Sequence, residues 1–544
     1  MSDKHKAVCK LSEINDGEMK EIKVGETPVV LARVDGKCFA LAAHCTHYGA
    51  PLADGALVGD RIVCPWHHAC FHAGTGDMIE PPALDSLPSF PVRVERDEIF
   101  VDLPGEAADR RLPEMMSADP GDNRIFVIVG GGAAGYSAAQ TLREEGFAGR
   151  IVIITREDRL PYDRPNLSKD YLQGNAEPAW MPLRPDEFFE TNGIEFMLSK
   201  EVTRITAGSK EVEFADGGTF EFNKLLVATG GTPRKLDLPG SDLRNIFVLR
   251  SFDSADAIIA AVKGAQNVVV IGASFIGMEA ASSLRQTGKQ VTVVSPDRVP
   301  FEKVFGGEIG AMFRSMHEYN GVKFRLGSGV KGFEGDGMVK GVLLDNGETI
   351  GADLVIAGIG VRPATDFLEG FVTDRDGGPI ADKFLCIGED VYAAGDIVHF
   401  PDPRTGEIVR IEHWRTALQQ GRTAAHNMSG KQTAFAAVPF FWTRQFDTTL
   451  NYVGHTKGWD EIIIHGDVGQ KDFLAFYVKD HTIRAAAGMN RDRELALFEE
   501  LMRLNRMPPL QELREASAKD TNGSGVLSAA AAMHQKNGLR SLLL

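Results

Sequence analysis

Cys45-Thr46-His47 and Cys64-Pro65-Trp66-His67 stand sixteen residues apart, and cysteine alternates with histidine, as C-x-H and then C-x-x-H. Two thiolates can hold one iron as the ferric ion while two neutral imidazoles hold a second, the ligand set of a [2Fe-2S] centre with unlike irons. The competing metal is zinc. Structural Cys2His2 zinc sites place a C-x2-4-C pair before an H-x3-5-H pair, so the interleaved order here is wrong for them. The predicted metal ligands are therefore Cys45, His47, Cys64 and His67.

Gly49, Ala50, Pro51, Leu52, Asp54 and Gly55 follow the first pair, and Phe71, Gly74, Thr75 and Gly76 follow the second. Loops punctuated in this way can lay backbone N–H groups against cluster sulfurs. The pattern resembles a Rieske-type ferredoxin domain. Respiratory members of that group add a disulfide and two hydroxyl donors, and the matching positions here are Ala50, Trp66, Ala69 and Phe71. By that resemblance the potential lies toward the low end of the Rieske range. Cys70 reads as a small packed thiol, and His44, His68 and His72 as exposed loop histidines.

A chain of 544 residues has room for three or four domains. The net charge of −16 is diffuse and no lysine or arginine block interrupts it, which argues against nucleic acid as a partner. No apolar run approaches spanning length, so no membrane segment is expected. Of six cysteines, Cys9, Cys38, Cys70 and Cys386 are scattered outside the motif. That usage, with no apolar signal core near Asp3, Glu13, Asp16 and Glu18, predicts a cytoplasmic protein.

Residues 1–104 read as short strands, among them Val29–Val34 and Lys37–Leu41 across an Asp35-Gly36 turn. Residues 105–122 shift to Pro, Gly, Ala and charge and read as a linker, with a span of roughly 20–25 Å if it is flexible. Strand Ile125–Val129 then runs into Gly130-Gly131-Gly132-Ala133-Ala134-Gly135, a helix, the strand Ile151–Ile154, and Glu157. This is a dinucleotide unit in which Gly130, Gly132, Ala134 and Gly135 let a pyrophosphate approach the helix N-terminus, and Glu157 accepts from ribose hydroxyls. A second copy follows: Val268–Ile271, then Gly272, Ser274 and Gly277 in the glycine turn, then Val291–Val294.

Two such units resemble the pyridine-nucleotide-dependent flavoprotein reductases, which carry FAD on the first and NADH or NADPH on the second. Ala228-Thr229-Gly230, Gly358-Ile359-Gly360 and Gly395-Asp396 stand at matching places. The resemblance implies an FAD domain over 123–247 and 365–434, an NAD(P)H domain over 248–364, and a reductase C-terminal domain over 435–514, with a tail at 515–544. Asp396 would meet the ribityl chain, Arg164 and Val202 would contact FAD, and His413-Trp414 would reach the flavin pyrimidine. Lys169 would lie near flavin N5, paired with Glu279, and Phe275 would stack beside the isoalloxazine. The bland reading of Asp396, a helix N-cap, is compatible with that role. Trp442 is a candidate flavin-edge residue, with a core tryptophan as the alternative. The fold class expected is thus an all-β Rieske domain followed by an α/β flavoprotein with two dinucleotide-binding domains, glutathione-reductase-like, and an α+β C-terminal domain.

Disulfide reductases of this superfamily carry a C-x4-C after the first unit, where this chain has Pro161-Tyr162-Asp163-Arg164-Pro165-Asn166-Leu167-Ser168-Lys169. Electrons must then leave the flavin by another route, and the fused cluster is the candidate. The expected activity is NAD(P)H-dependent reduction of FAD, then of the Rieske centre, then of an external one-electron acceptor such as an oxygenase or a cytochrome. A homodimer is the candidate assembly. The rival readings are a redox-sensing, apoptosis-inducing-factor-like interaction protein and a nitrite-reductase-related flavoprotein. At the end of the second nucleotide strand, Ser295 replaces the acid of NADH-specific relatives; Asp297 favours NADH and Arg298 favours NADPH, and the reading leans to NADH.

Overall fold

The computed structural model describes residues 7–105 and 107–519, the last four as backbone only; the expected tail lies, from residue 520 on, outside the described residues. The chain divides into two compact units. One holds the described residues up to Met115 together with Ala436–Trp442 and those from Leu450 on; the other holds Met116–Phe435 with Thr443–Thr449.

In the first unit the Asp35-Gly36 turn forms as expected, both residues at positive φ, and joins Thr27–Val34 to Lys37–Ala42 in a four-stranded sheet completed by Met19–Val24 and Ser89–Phe90. A second four-stranded sheet runs Ala56–Val58, Arg61–Val63, Cys70–His72 and Met78–Glu80. The antiparallel strands Glu461–Asp467, Asp472–Lys479 and Thr482–Met489 and the helix Asp492–Arg503 belong to the same unit. Sequence reading treats 1–104 and 435–514 as separate domains, but one hydrophobic core serves both. Ala56, Val58, Val63 and Cys70 pack with Phe440, Leu474, Phe476, Leu495, Phe498 and Leu501. At about 1.5–3 kcal/mol for each large apolar side chain buried, such a core holds the two parts as one body.

The expected linker is pinned rather than free. Arg111 exchanges two backbone hydrogen bonds of 2.9 Å with Ser86, and its guanidinium pairs with Asp77. Further along, in the second unit, the Met116 N–H donates to Arg143 O at 3.0 Å.

The second unit holds two largely parallel sheets, the first with one antiparallel edge strand, Cys386–Gly388. Strands 194–197, 150–154, 125–129, 224–227, 391–393 and 386–388 form one, so segments on both sides of the inserted region share a sheet. Strands 246–247, 354–357, 267–271, 290–295 and 323–326 form the other. Parallel strands buried on both faces read as continuous apolar runs, which is how Ile125–Val129 and Val268–Ile271 appear in the sequence. No helix among the described residues is long and apolar enough to cross a membrane.

Candidate redox centres

Each Cys/His motif forms a tight loop closed by backbone bonds, Gly49 N–H to Cys45 O at 2.9 Å and His68 N–H to Cys64 O at 3.2 Å. The loops bring like ligands together. His47 Nδ1 and His67 Nδ1 are 3.1 Å apart, and the buried Cys45 and Cys64 thiols hydrogen-bond to one another. The backbone N–H groups of His47 and Tyr48 point at the Cys45 sulfur, and those of His67 and Trp66 at the Cys64 sulfur. The contact with Cys64, and then burial, push the Cys45 thiol well up. Burial would raise Cys64 too, but the Cys45 thiol and the N–H donors outweigh it and hold Cys64 lower. Burial pushes the His47 imidazole down to about 3, so it stays neutral, the form that binds metal.

A single zinc needs four donors around one point. Among the described residues, the one group of three or more metal-binding side chains whose donor atoms lie within 4.8 Å of one another is Asp374, Asp376 and His399, elsewhere in the chain. The two thiols meet each other and the two imidazoles meet each other, one pair for each iron of a two-iron cluster. Trp442 belongs here as well, its ring centroid 4.3 Å from that of His67 and 6.4 Å from that of His47. His68 corrects an expectation: it is fully buried, stacked on Phe440 at 4.0 Å, and its Nδ1 pairs with the Glu499 carboxylate. His44 is exposed and His72 half-buried, while Cys70 is a packed core thiol as expected.

In the second unit the first glycine turn forms a cradle. A Cβ on Gly130 would meet Ala228 O at 2.3 Å and one on Gly135 would meet Gly130 O at 2.0 Å, whereas at Gly132 nothing lies within 4 Å. The backbone is therefore closely packed behind the loop and open where Gly132 precedes the helix Ala133–Glu144, as a pyrophosphate requires. Ala134 packs near Gly395, and Gly395 N–H donates to Gln420 Oε1 at 2.7 Å. Gln420 Nε2 and Thr416 Oγ1, on the helix Trp414–Met428, are buried without a protein partner, a donor set left for a polar ligand. His413 holds the N-cap position of that helix and Trp414 its first turn. Asp396 lies in a turn well before that helix, so the N-cap reading fails; its carboxylate accepts from Arg250 at 2.8 Å.

Glu157 accepts from the Tyr162 hydroxyl at 2.7 Å and from Arg164 at 2.9 Å. Burial would raise its carboxyl, but Arg164 and Tyr162 outweigh that and leave it below its ordinary value. Thr229 donates its hydroxyl to Ala364 O at 2.7 Å, fixing the Ala228-Thr229-Gly230 turn. Val202 begins the strand Val202–Thr206 of a separate four-stranded sheet.

The second cradle repeats the first. A Cβ on Gly272 would meet Gly358 O at 2.3 Å and one on Gly277 would meet Gly272 O at 2.2 Å, while Gly360 opens on empty space. Ser274 precedes the helix Phe275–Gln286, and Phe275 is half-buried with Phe301 5.2 Å away. From that helix the buried Glu279 receives Lys169 Nζ at 2.7 Å, which also donates to Pro165 O at 3.0 Å. Two donors escaped sequence reasoning, Ser168 at 2.5 Å and Thr443 at 2.8 Å from Glu279. Ser168 stands beside Lys169 in the sequence, whereas Thr443 has no local signal.

Residues 125–421 match the pyridine nucleotide-disulphide oxidoreductase family, 4–91 the Rieske [2Fe-2S] domain and 440–519 the reductase C-terminal domain. The chain is 39% identical to human apoptosis-inducing factor 3 over 498 residues, covering 89% of this chain and 82% of the relative. It is 32% identical to the ferredoxin reductase component of chlorobenzene dioxygenase from a Cupriavidus species, covering 69% and 91%. The crystal structure of the ferredoxin reductase for the CYP199A2 system from Rhodopseudomonas palustris superposes with a TM-score of 0.68 at 31% identity, over 73% of this chain and all of that one. The cradles, the donor sets and these matches together make an NAD(P)H-dependent flavoprotein oxidoreductase that uses FAD and a [2Fe-2S] cluster. The chain belongs to the pyridine nucleotide-disulphide oxidoreductase family, as a ferredoxin-reductase-type flavoprotein fused to a Rieske domain.

Proposed function

We propose that this reductase delivers electrons singly, through its own Rieske centre, to an oxygenase or cytochrome partner, and that it prefers NADH. The observation that carries the proposal is the pairing, in one chain, of two nucleotide cradles lacking a C-x4-C with a complete set of converging Cys and His ligands. FAD would supply the conversion of a two-electron donor to a one-electron carrier, and the cluster a one-electron site. Cys45, His47, Cys64 and His67 hold the cluster. Gly130, Gly132, Ala134 and Gly135 admit the FAD pyrophosphate, and Glu157, Arg164 and Asp396 orient the rest of the cofactor. Lys169 presents an ammonium beside the flavin, and Glu279 offsets the cost of burying it. Phe275 would stand beside the isoalloxazine, where the nicotinamide must displace or sandwich it, and hydride transfer would need no acid–base residue, only correct placement of the reactants. The oxygenase and CYP relatives named above support the choice of acceptor. We place the protein in the cytoplasm, because its cysteines outside the cluster motif are scattered without a paired framework.

The test is His67→Ala. The variant should bind FAD and be reduced by NADH at close to the wild-type rate, yet lose most cytochrome reduction. Undiminished cytochrome turnover would remove the cluster from the route. The similarity to apoptosis-inducing factor 3 favours a second reading, a redox-dependent interaction protein, in which NADH gives a long-lived reduced complex with little turnover of any acceptor.

A further inference from the structure

Among the buried polar groups that hydride transfer does not use, one run leads to Glu279. Glu279 Oε1 accepts from the Thr443 hydroxyl at 2.8 Å, Thr443 Oγ1 accepts from Gln445 Nε2 at 3.1 Å, and Gln445 Oε1 lies 2.7 Å from His317 Nε2. All four side chains belong to the second unit, and all four residues are buried.

The direction of each bond follows from the histidine. Burial pushes the His317 imidazole down to about 4, so it is neutral near pH 7 and carries one ring proton. Its Nδ1 is buried without a partner, and the rings of Phe324 and Phe446 flank it. The proton therefore sits on Nε2 and is donated to Gln445 Oε1. That contact fixes the amide, whose NH2 must then face Thr443. With a donor already on its oxygen, the Thr443 hydroxyl has its own proton to give, and Glu279 takes it. Every donor points the same way, and the run ends on one oxygen of a carboxylate whose other oxygen holds Lys169 and Ser168.

We propose that Thr443, Gln445 and His317 are positioning residues that anchor the second oxygen of Glu279, so that its first oxygen stays fixed as the partner of Lys169. The proposal rests on the reading of Lys169 as the flavin-side ammonium. A carboxylate tied at one oxygen can rotate about its last bond and exchange oxygens, whereas one tied at both cannot. The anchor comes from the strand Phe440–Gln445 and the helix Gly307–Tyr319, whose only predicted flavin contact is Trp442, so no cofactor motif reveals it.

The experiment compares Thr443→Val, Thr443→Ser and Gln445→Met in the full-length protein as purified. Hydrogen bonds to charged groups support an effect of roughly tenfold. Trace acetylation by acetic anhydride, read by peptide mass spectrometry, should label Lys169 about tenfold faster in Thr443→Val and Gln445→Met, and at close to the wild-type rate in Thr443→Ser. In stopped flow, the limiting rate of flavin reduction by NADH should fall about tenfold in the first two variants, with the half-saturating NADH concentration unchanged. Unchanged Lys169 labelling in a folded Thr443→Val or Gln445→Met variant overturns the proposal, whatever happens to the rate. Lys169→Gln separates it from the reading beneath it: if that variant reduces flavin normally, Lys169 is not the flavin-side ammonium, while the labelling result still decides whether the anchor exists.

Discussion

The indole of Trp442 lies against the imidazole of His67, ring centroids 4.3 Å apart and planes inclined by 51°. The neighbouring His47 ring meets His67 edge-on at 4.9 Å, so the two candidate iron ligands and the tryptophan form one aromatic cluster. Contacts of this kind contribute about 0.5–1.5 kcal/mol beyond the area they bury. Trp442→Ala should therefore loosen the ligand loop, with iron lost to a chelator roughly 3- to 10-fold faster. Trp442→Phe should keep most of the wild-type retention, and FAD content should not change in either variant. Iron and sulfide assays against time in chelator provide the check.

His68 and Glu499 place a second demand on the first unit. Both are buried, at 0% and 4% exposure, and the helix that carries Glu499 also sends Glu500 to Arg61 at 3.1 Å. Removing one member of a buried hydrogen-bonded pair leaves the other unsatisfied and costs about 1–3 kcal/mol. Glu499→Ala should lower the thermal midpoint of the first unit and reduce cluster content, whereas Glu499→Gln, which can still accept a hydrogen bond, should cost less. Flavin reduction by NADH should survive in both. Differential scanning calorimetry with parallel iron analysis measures the two effects.

These residues also mark how far the sequence can be read. The cluster ligands and glycine turns are local patterns, in which the spacing of Cys45 and His47, or of Gly130 and Gly135, is itself the chemistry. Lys169 and Glu279 are 110 positions apart and only the family resemblance pairs them in the sequence; the structure brings them within 2.7 Å. His68 reads as one more polar loop residue, because nothing near it announces that a helix more than 400 positions later will cover it. Cys70 is legible as a packed thiol, yet what packs it, Phe440 and the Leu495–Leu501 face, belongs to a segment that reads as a domain of its own. Thr443 and Gln445 alternate along a strand like any inward-facing polar pair.

The nicotinamide preference turns on Arg298. Its side chain donates to Glu302 Oε1 at 2.9 Å, and its backbone N–H donates to Glu302 Oε2 at 3.0 Å. Asp297, next to it, keeps its own carboxylate there and pairs with Lys303 at 3.0 Å. A guanidinium held by a carboxylate is poorly placed to donate to a 2′-phosphate, and the Asp297 carboxylate beside it disfavours one. Efficiency with NADH should therefore exceed that with NADPH by about tenfold or more, the scale of one charged contact. Glu302→Gln, which frees Arg298, should narrow the gap severalfold. Initial-rate kinetics with both nucleotides test the order, and a wild-type preference for NADPH would reverse the assignment.

His317 gives the second unit a defined acid limit. Its imidazole titrates near 6.5 in an unfolded chain but is held down to about 4 by burial in the fold. Between those values the unfolded state binds the proton and the folded state does not, so stability rises with pH across that window. The contribution is fully present above about pH 6.5 and is lost as pH falls toward 4; two to three pK units correspond to about 3 kcal/mol. In His317→Asn the site has no proton to gain, so its share of the pH dependence disappears. The wild-type unfolding midpoint should therefore fall more steeply from pH 6.5 to 4 than that of the variant. The two curves should converge toward pH 4, even though the variant starts lower at pH 7 for want of a well-filled site. Urea unfolding followed at half-unit pH intervals measures both slopes, and parallel slopes would show that His317 is protonated in the fold.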